Sequence, residues 1–347
     1  MPRVAILSPF AFPSMRGNAV TVERIARGLR ERGLTLRVWD LSALDPAAVD
    51  REVEAYQPSL IHAFHAFRVG PAALRLARRA EIPLVVTLTG TDANHDLFDA
   101  ERASLVRHVL EGAAAITVFH ESIAARVAAS LPDVGPRLVV VPQAVRFDGA
   151  EPFDLAARWP LPAARVLVLF PAGIRMVKRP LLPLPVFDRV VAARPDVRLL
   201  YAGPVLDDDE GRALAREVAA RPWAHHVGPV PHGQMASLLS QSDIVLNCSL
   251  SEGGMANSIL EAFVQGRAVL ASDIPGNRAL VEDDVTGLTF SDGRSLAAAA
   301  LRLAADPALR ARLGAAGRAL VERRYPPSRE ADGYADVYRT LVRVSTA

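Results

Sequence analysis

The chain has 347 residues, half of them hydrophobic, and its 40 Lys and Arg nearly balance its 38 Asp and Glu. This length suits two domains of ordinary size, and the net charge of +2 predicts no strong attraction to nucleic acid. The single cysteine, Cys248, excludes an intrachain disulfide. The amino terminus shows a strand pattern rather than a signal peptide, and the apolar runs are too short to cross a membrane. We therefore expect a cytoplasmic protein, of an oligomeric state that the sequence does not specify.

Strand and helix patterns alternate regularly through residues 1–145. Short apolar runs predict strands, and amphipathic segments of helical length follow them. The predicted strands are Val4–Ser8, Thr35–Asp40, Leu60–Ala63, Leu84–Thr89, Ala115–Phe119 and Leu138–Val141, and the predicted helices are Val20–Glu31, Pro46–Ala55, Pro71–Ala80, Glu101–Glu111 and Glu121–Ser130. This order predicts an α/β domain with a doubly wound parallel sheet, of the Rossmann-like kind.

Residues 146–164 interrupt the alternation with Gly149 and three prolines, so we interpret them as a linker. The alternation resumes over residues 165–327 and predicts a second Rossmann-like domain. Its predicted strands are Arg165–Phe170, Val197–Ala202, His226–Val227, Asp243–Asn247 and Ala268–Ala271, and its predicted helices are Pro180–Ala193, Ser258–Gln265, Leu296–Ala305 and Pro307–Glu322. Residues 328–347 predict a last helix, Ser328–Val344. Two such domains predict a ligand cleft between them.

The segment Ser251–Ala262 carries the clearest signal of function. Gly253 and Gly254 would let the backbone approach a ligand, and the helix start after them offers N–H groups that suit a phosphate. The carboxylates of Glu252 and Glu261 would repel a phosphate but suit hydroxyl groups. A sugar nucleotide combines a diphosphate with two polyols, so the segment predicts a sugar-nucleotide site. The alternative is an ordinary β-loop-α corner with two surface glutamates.

Arg175 and Lys178 follow the first strand of the second domain, in the segment Gly173–Pro180. Arginine can hold a phosphate through two parallel hydrogen bonds and lysine adds a point charge. The pair would stabilise a departing diphosphate without a metal ion or a cofactor. The alternative is a pair of solvated cations. We interpret the acidic run Asp207–Asp209 as a helix start rather than a metal site.

Three polar loops follow strands of the first domain. The loop Arg16–Thr21 predicts backbone contacts of Gly17 and Asn18 with the donor diphosphate or with the acceptor, and an isolated glycine turn is the alternative. The loop Thr87–Asp96 offers Thr91 and Asp92 as candidates to face the reacting sugar or the acceptor. The alternative is a helix cap or an Asx turn.

The third loop, His62–Arg68, predicts an acceptor pocket. Its candidate residues are His62, His65 and Arg68, and their alternative is partly buried loop side chains. Together with Arg16 they favour a small anionic acceptor. His120 and Glu121 follow another strand, and the same two interpretations apply to them: acceptor contacts or partly buried loop side chains.

The run Asn247–Phe290 resembles the donor site of the retaining family-4 glycosyltransferases, which have the GT-B fold. The resemblance implies that Glu252 contacts the donor sugar, that Glu261 binds the ribose, and that the last helix crosses back to the first domain. It implies a catalytic role for Asp92 beside Arg175 and Lys178, because many members carry a histidine near Thr89. The remaining implied donor contacts are Gly173, Gly228, Val230, Met255, Ala256 and Asn257. Eight residues separate the two glutamates here, where the family has seven.

The motifs R-G-N-A-V-T, G-T-D-A-N, G-I-R-M-V-K-R-P and D-I-P-G-N extend the resemblance over nearly the whole chain. Together with the glutamate segment they resemble the branch of glycosyltransferase 1 domain-containing protein 1. Part of the set is similar to the selenosugar synthases, which join a sugar from UDP-N-acetylglucosamine to selenophosphate. The sequence thus predicts a metal-independent, retaining transfer of a hexosyl group from a nucleoside diphosphate sugar, with UDP as the favoured nucleotide. The alternatives are selenosugar synthesis, sugar-nucleotide binding without catalysis, and epimerisation.

Overall fold

The computed structural model describes residues 3–14, 17–147, 149, 151–162 and 165–344. Within them the chain forms two compact units. Unit 1 comprises Met1–Ala144, Glu252–Gly254 and Pro326–Ala347, and unit 2 comprises Val145–Ser251 and Met255–Tyr325. Unit 1 therefore combines described segments that precede unit 2 in the chain with segments that follow it.

Unit 1 is built on a six-stranded sheet whose paired strands are all parallel. Its strands are β1 (Arg3–Ser8), β2 (Thr35–Asp40), β3 (Leu60–Phe64), β4 (Leu84–Thr87), β5 (Ala115–Val118) and β6 (Leu138–Val140). Its helices are α1 (Gly17–Glu31), α2 (Pro46–Tyr56), α3 (Gly70–Ala80), α4 (Thr91–Asn94), α5 (Ala103–Glu111), α6 (Glu121–Ser130) and, from the end of the chain, α15 (Pro327–Val344). The spatial order is β2-β1-β3-β4-β5-β6.

Unit 2 repeats this plan. Its strands are β7 (Val166–Pro171), β8 (Val197–Ala202), β9 (Ala224–His226), β10 (Ile244–Asn247), β11 (Ala268–Ser272) and β12 (Leu288–Phe290). Its helices are α7 (Leu155–Arg158), α8 (Pro183–Ala193), α9 (Asp208–Ala219), α10 (His232–Ser240), α11 (Asn257–Val264), α12 (Pro275–Arg278), α13 (Gly293–Ala305) and α14 (Pro307–Arg324). The order is β12-β11-β10-β7-β8-β9, again with parallel pairing.

Apolar side chains cover both faces of each sheet, which is why the strands are continuous hydrophobic runs rather than alternating ones. Three strands of unit 1 (β3, β4 and β5) and two of unit 2 (β10 and β11) are buried at every position. Helix α8 starts at Pro183, after Pro180, because proline is tolerated only in the first turn of a helix. The predicted helix Pro180–Ala193 is therefore helical only from Pro183, the first of its two internal prolines, onward.

Helix α15 completes the core of unit 1. Its side chains Tyr334 and Tyr338 are fully buried against α1 and the sheet. Arg24 of α1 forms two hydrogen bonds, of 2.7 and 2.8 Å, to the carboxylate of Glu330, and both side chains are almost enclosed. A buried carboxylate needs such a partner to offset its lost hydration.

In each sheet the chain starts in the middle and later reverses its direction of growth. The reversal lies between β1 and β3 in unit 1 and between β7 and β10 in unit 2. Loops that leave neighbouring strands on either side of such a point diverge and open a crevice at the carboxyl ends. Each unit thus offers one favoured edge for a ligand.

Candidate functional site

Backbone hydrogen bonds join the loops at the carboxyl edge of unit 2 into one continuous rim. The loop after β9 is bonded to that after β8 through Gly228 O and Gly203 N at 2.9 Å. The loop after β8 is bonded to that after β7 through Pro204 O and Ile174 N at 2.8 Å. Across the reversal point, Leu250 N donates to Val177 O at 2.9 Å. The rim holds candidate residues from four strands in fixed register.

Gly203 is required where the rim is tightest. Its φ is +156°, and an added Cβ would lie 2.2 Å from the carbonyl oxygen of Ala172. Gly173 also sits close to a neighbour, since a Cβ there would lie 2.5 Å from Leu206. We had predicted Gly173 as a donor contact; its observed neighbour is the adjacent loop, and its contact with a ligand stays a prediction.

Arg175 and Lys178 lie in the loop after β7, beside the reversal point. Lys178 belongs to a short 3-10 turn, Met176–Lys178, and both cations are half-buried. The following residue, Arg179, has a φ of +49° and donates from Nε to the carbonyl of Cys248 at 2.6 Å. This bond ties the cation-bearing loop to the end of β10. The positions of Arg175 and Lys178 fit a phosphate-binding role, which stays a prediction.

Helix α11 begins without a side-chain cap. Its N-cap residue, Ala256, makes no side-chain hydrogen bond to the first turn, so the first N–H groups depend on other partners. Met255 and Ala256 are buried and Asn257 is half-buried. We had predicted all three as donor contacts, and the helix start that they form is the element that would meet a diphosphate.

A buried polar network supports this helix start. Asn277 is fully buried and donates from Nδ2 to Asn247 Oδ1 at 3.2 Å and to the carbonyl of Ser272 at 2.9 Å. Asn247 Nδ2 in turn donates to Ser258 Oγ, in the first turn of α11, at 3.3 Å. The D-I-P-G-N motif therefore ends in a residue that braces the loop before α11.

Glu261 lies one turn into α11 with its side chain only 11% exposed. One carboxylate oxygen lies 3.4 Å from Nε2 of His232, the first residue of α10. The imidazole of His232 is stacked on Phe147, with ring centroids 5.6 Å apart. Sequence reasoning found neither α10 nor His232, although a histidine directly after Pro231 at the end of a strand loop was a usable signal. Of the two other predicted contacts nearby, Gly228 is half-buried and Val230 is buried.

The predicted glycine-rich segment is divided between the units. Glu252–Gly254 belongs to unit 1, where Asn94 Nδ2 donates to the carbonyl of Glu252 at 2.8 Å. Gly253 packs on the loop after β4, and a Cβ added to it would lie 2.5 Å from Thr89 O. Gly254 has a φ of +111°. The close backbone approach expected of these glycines is thus met by protein, and the ligand contacts of Glu252, Gly253 and Gly254 stay predictions.

His62 does not line an acceptor pocket, contrary to our prediction. It is fully buried in β3, and its two ring nitrogens lie 2.6 Å from Tyr338 Oη and 2.6 Å from Thr87 Oγ1. Burial lowers the pKa of the imidazole to about 3 because the charged form loses its hydration. His62 is a neutral core residue that links the sheet to α15.

Asp92 is also enclosed and its carboxylate is occupied by backbone groups, so its predicted catalytic role stays a prediction. One of its oxygens accepts hydrogen bonds from the backbone N–H groups of Thr89, Gly90 and Ala93, at 2.9–3.1 Å. The other accepts from Ala66 N at 2.9 Å. The carboxylate therefore acts as an Asx-type brace between the loops after β3 and β4, which was the alternative reading.

His65 lies beside Asp92 and is similarly unavailable to an acceptor. Its side chain is 3% exposed, its Nδ1 lies 3.7 Å from Asp92 and its Nε2 lies 3.8 Å from Asp96. Its φ of +98° is unusual for a residue with a side chain. Nδ1 accepts from Arg68 N at 3.3 Å, so the ring shapes the turn after β3.

The other predicted residues of unit 1 are more open. Arg68 and Thr91 are exposed, and the guanidinium of Arg68 lies 5.7 Å from the ring centre of Phe10. Gly17 is exposed and Asn18 is half-buried, with its Nδ2 3.3 Å from Thr89 Oγ1. Arg16 lies outside the described residues. These four described positions remain candidates for ligand contact.

The acidic run at 207–209 starts helix α9. Asp207 caps the helix by accepting from Asp209 N at 3.1 Å and Glu210 N at 3.2 Å. Among the described residues no three His, Cys, Asp or Glu side chains are grouped so that they could hold a metal ion. In that same part of the chain no helix has the length and apolar character needed to span a membrane.

Comparison with known sequences and structures identifies the family. The Glycosyl transferase 4-like domain family matches residues 8–144, and the Glycosyl transferases group 1 family matches residues 165–306. Glycosyltransferase 1 domain-containing protein 1 of Xenopus tropicalis is 27% identical over 334 residues, which cover 94% of each chain. Phosphatidyl-myo-inositol mannosyltransferase of Mycobacterium tuberculosis is 32% identical over 239 residues, covering 64% of this chain and 61% of that one.

The fold is shared with solved structures of low sequence identity. Sucrose-phosphate synthase from Thermosynechococcus elongatus superposes with a TM-score of 0.83 at 19% identity, covering 99% of this chain and all of that one. HepE of Anabaena, crystallised with UDP-glucose, gives a TM-score of 0.79 at 16% identity, covering 98% and 100%. The two matched glycosyltransferase domain families together cover most of the chain, and with this shared fold they show that the chain is a GT-B glycosyltransferase.

Proposed function

We propose that this glycosyltransferase moves a hexosyl group from a UDP-sugar to a small acceptor, with retention at the anomeric carbon and without a metal ion. The observation that carries the proposal is the edge of unit 2. There the cations Arg175 and Lys178, the start of α11 and the carboxylate of Glu261 all follow strands on the two sides of the reversal point. Cations and helix N–H groups suit the diphosphate, and a carboxylate suits the ribose diol.

The chemistry of the step explains the cations. When the bond between the anomeric carbon and the diphosphate breaks, the departing group gains negative charge. Arg175 and Lys178 would stabilise that charge more in the transition state than in the bound donor, which is the condition for catalysis. The acceptor oxygen bonds to the anomeric carbon on the same face, and its proton passes to the departing phosphate oxygen. Glu252 is proposed to contact the transferred sugar.

Acceptor contacts are proposed for the open residues Gly17, Asn18, Arg68 and Thr91, since His62, His65 and Asp92 are enclosed. Arg68 favours an anionic group on the acceptor. The relatives' names widen the choice, because one matched protein is a D-inositol 3-phosphate glycosyltransferase, 28% identical over 196 residues. The similarity to selenosugar synthases supports selenophosphate as a second candidate.

The test has two stages. Calorimetry with UDP, GDP and ADP, followed by their sugars, identifies the donor. The preferred donor is then supplied with selenophosphate, inositol phosphates or phosphatidylinositol, and the anomeric configuration of any product is read by NMR. We expect transfer with retention and full rates in EDTA. UDP-sugar binding without transfer, or epimerisation without an acceptor, would support the non-catalytic or epimerase alternatives instead.

A further inference from the structure

The carboxyl group of Glu261 lies in a nearly closed environment, and His232 is a side chain that faces it. The Glu261 side chain is 11% exposed and that of His232 is 28% exposed, with 3.4 Å between Oε1 and Nε2. A carboxylate so enclosed needs a donor to fix its orientation and to offset its lost hydration. The separation is that of a pair that can shorten into a hydrogen bond when a ligand closes the site.

The ring of His232 is itself held in place from the other side. Phe147 is stacked on it with an angle of 22° between the ring planes. The chain after Phe147 is anchored along α10, since Glu151 N donates to Gly233 O at 3.0 Å and Phe153 N donates to Ser237 Oγ at 3.0 Å. The imidazole is therefore pinned between an anchored aromatic ring and the carboxylate of Glu261.

We infer that His232 is a positioning residue for Glu261, and that the row Phe147–His232–Glu261 sets the preference of the donor site for ribose over 2′-deoxyribose. Nε2–H of His232 donates to Oε1 of Glu261 and turns Oε2 toward the ribose diol. The inference rests on the proposed function, because it deepens the ribose-binding role of Glu261. A carboxylate in one fixed orientation binds a diol through both hydroxyls, whereas a rotating one loses part of that gain as entropy.

The readout is the ratio of the dissociation constants for 2′-deoxy-UDP and UDP, measured by calorimetry. His232→Phe keeps a ring to stack on Phe147 but removes the donor. It should lower the ratio about threefold to tenfold, the worth of roughly one hydrogen bond, and leave the affinity for 2′-deoxy-UDP unchanged. His232→Gln places an amide N–H near the position of Nε2 and should recover part of the ratio.

The matched control is His225→Phe. His225 is stacked on Trp159 with the same interplanar angle of 22° and a centroid distance of 5.1 Å. It pairs with an aromatic ring as His232 does, so its replacement should leave the ratio at the wild-type value. Thermal unfolding of each variant verifies that the comparison is made between folded proteins.

Glu261→Gln separates a failure of this inference from a failure of the proposed function. If Glu261→Gln keeps the full preference for UDP, the ribose role of Glu261 is wrong and the inference falls with it. If Glu261→Gln loses the preference but both His232 variants keep it, Glu261 stands and the positioning role is overturned. An equal loss of affinity for both nucleotides in His232→Phe would also overturn it, because that pattern indicates general packing.

Discussion

His62 and Asp92 in unit 1 are fully buried, whereas Arg175 and Lys178 in unit 2 remain half-open, although all four lie in or directly after central strands. The difference arises from what the rest of the chain supplies. In unit 1 helix α15 brings Tyr338 to His62, and neighbouring backbone N–H groups surround Asp92. In unit 2 the loops bond to each other through backbone groups and leave the cations at the rim. Position after a strand thus predicts the edge, but the partners decide whether a side chain serves the fold or a ligand.

The largest expected effect tests the structural role of His62. Its pKa is about 3 in the folded protein and about 6.5 when unfolded, so the unfolded state binds the proton first as the pH falls. Stability that is complete above pH ~6.5 should therefore decrease toward pH ~3, by on the order of 5 kcal/mol in total from this residue. The groups that face the ring, Tyr338 and Thr87, carry no charge over that range.

Urea unfolding of the wild type and of His62→Gln between pH 4 and pH 8 measures this effect. The variant should be less stable at pH 8 and should lose the part of the pH slope that His62 causes. A slope that is the same in both proteins would show that His62 is accessible to protons. His62 would then not be the enclosed, neutral side chain that distinguishes unit 1 from unit 2.

The next effect tests the open cations of unit 2. Arg175→Ala and Lys178→Ala should each lower turnover by raising the activation free energy by about 2–4 kcal/mol, the typical cost of removing a charge-stabilising donor. Donor binding should fall less, because charge grows as the diphosphate departs. Arg212→Ala, an exposed arginine on α9 paired with Asp209, is the control and should retain wild-type rates. Wild-type turnover from Arg175→Ala would remove that residue from the proposed mechanism.

The third prediction concerns Glu261, whose carboxylate is enclosed like that of Asp92. Glu261 faces the side chain of His232, whereas Asp92 faces backbone N–H groups, so Glu261→Gln tests a carboxylate that faces a side chain. It should weaken UDP binding by about 1.5–3 kcal/mol, the range for hydrogen bonds to a charged group, with little change in the melting temperature. Calorimetry and thermal unfolding on the same samples test both parts. A fall in stability without a fall in affinity would assign Glu261 to the fold.

The smallest effect concerns Asp207. Asp207→Ala removes the cap of α9 and should cost about 1 kcal/mol of stability. Transfer rates should stay unchanged, with or without EDTA, because the acidic run serves the helix. Loss of activity in EDTA that Mn²⁺ or Mg²⁺ restores would contradict the metal-free proposal, and loss in the variant as well would place the metal at this run.

The sequence was sufficient for the architecture because each buried strand is a continuous apolar run between turn residues. All six strands of unit 1 were predicted, whereas in unit 2 the three-residue strand β12 was missed, since so short a segment carries little pattern. Helix α10 was missed because its sequence, His232–Ser240, is short and contains a glycine and two serines, which weaken a helical pattern. His232, the first residue of this helix, was missed for the same reason.

The side-chain assignments of unit 1 were less predictable for a different reason. The partner of His62 is 276 positions away along the chain, and periodicity carries no information about such pairs. Asp92 is a local case, because an aspartate three residues after Thr89 can accept backbone N–H bonds as an Asx turn. That alternative was visible in the sequence, beside the role that the likeness to family-4 enzymes implied.

Helix α15 has a consequence for the order in which the protein can mature. Tyr334, Tyr338 and Glu330 complete the core of unit 1, yet they follow unit 2 along the chain and are synthesised after it. Until they emerge from the ribosome, His62 and Arg24 lack their partners, and the sheet face that α1 and α15 cover together is only partly covered. Unit 2, made mostly of consecutive residues, can close earlier. Unit 1 is therefore begun before unit 2 but completed after it. A chain that stops before residue 330 leaves unit 1 incomplete.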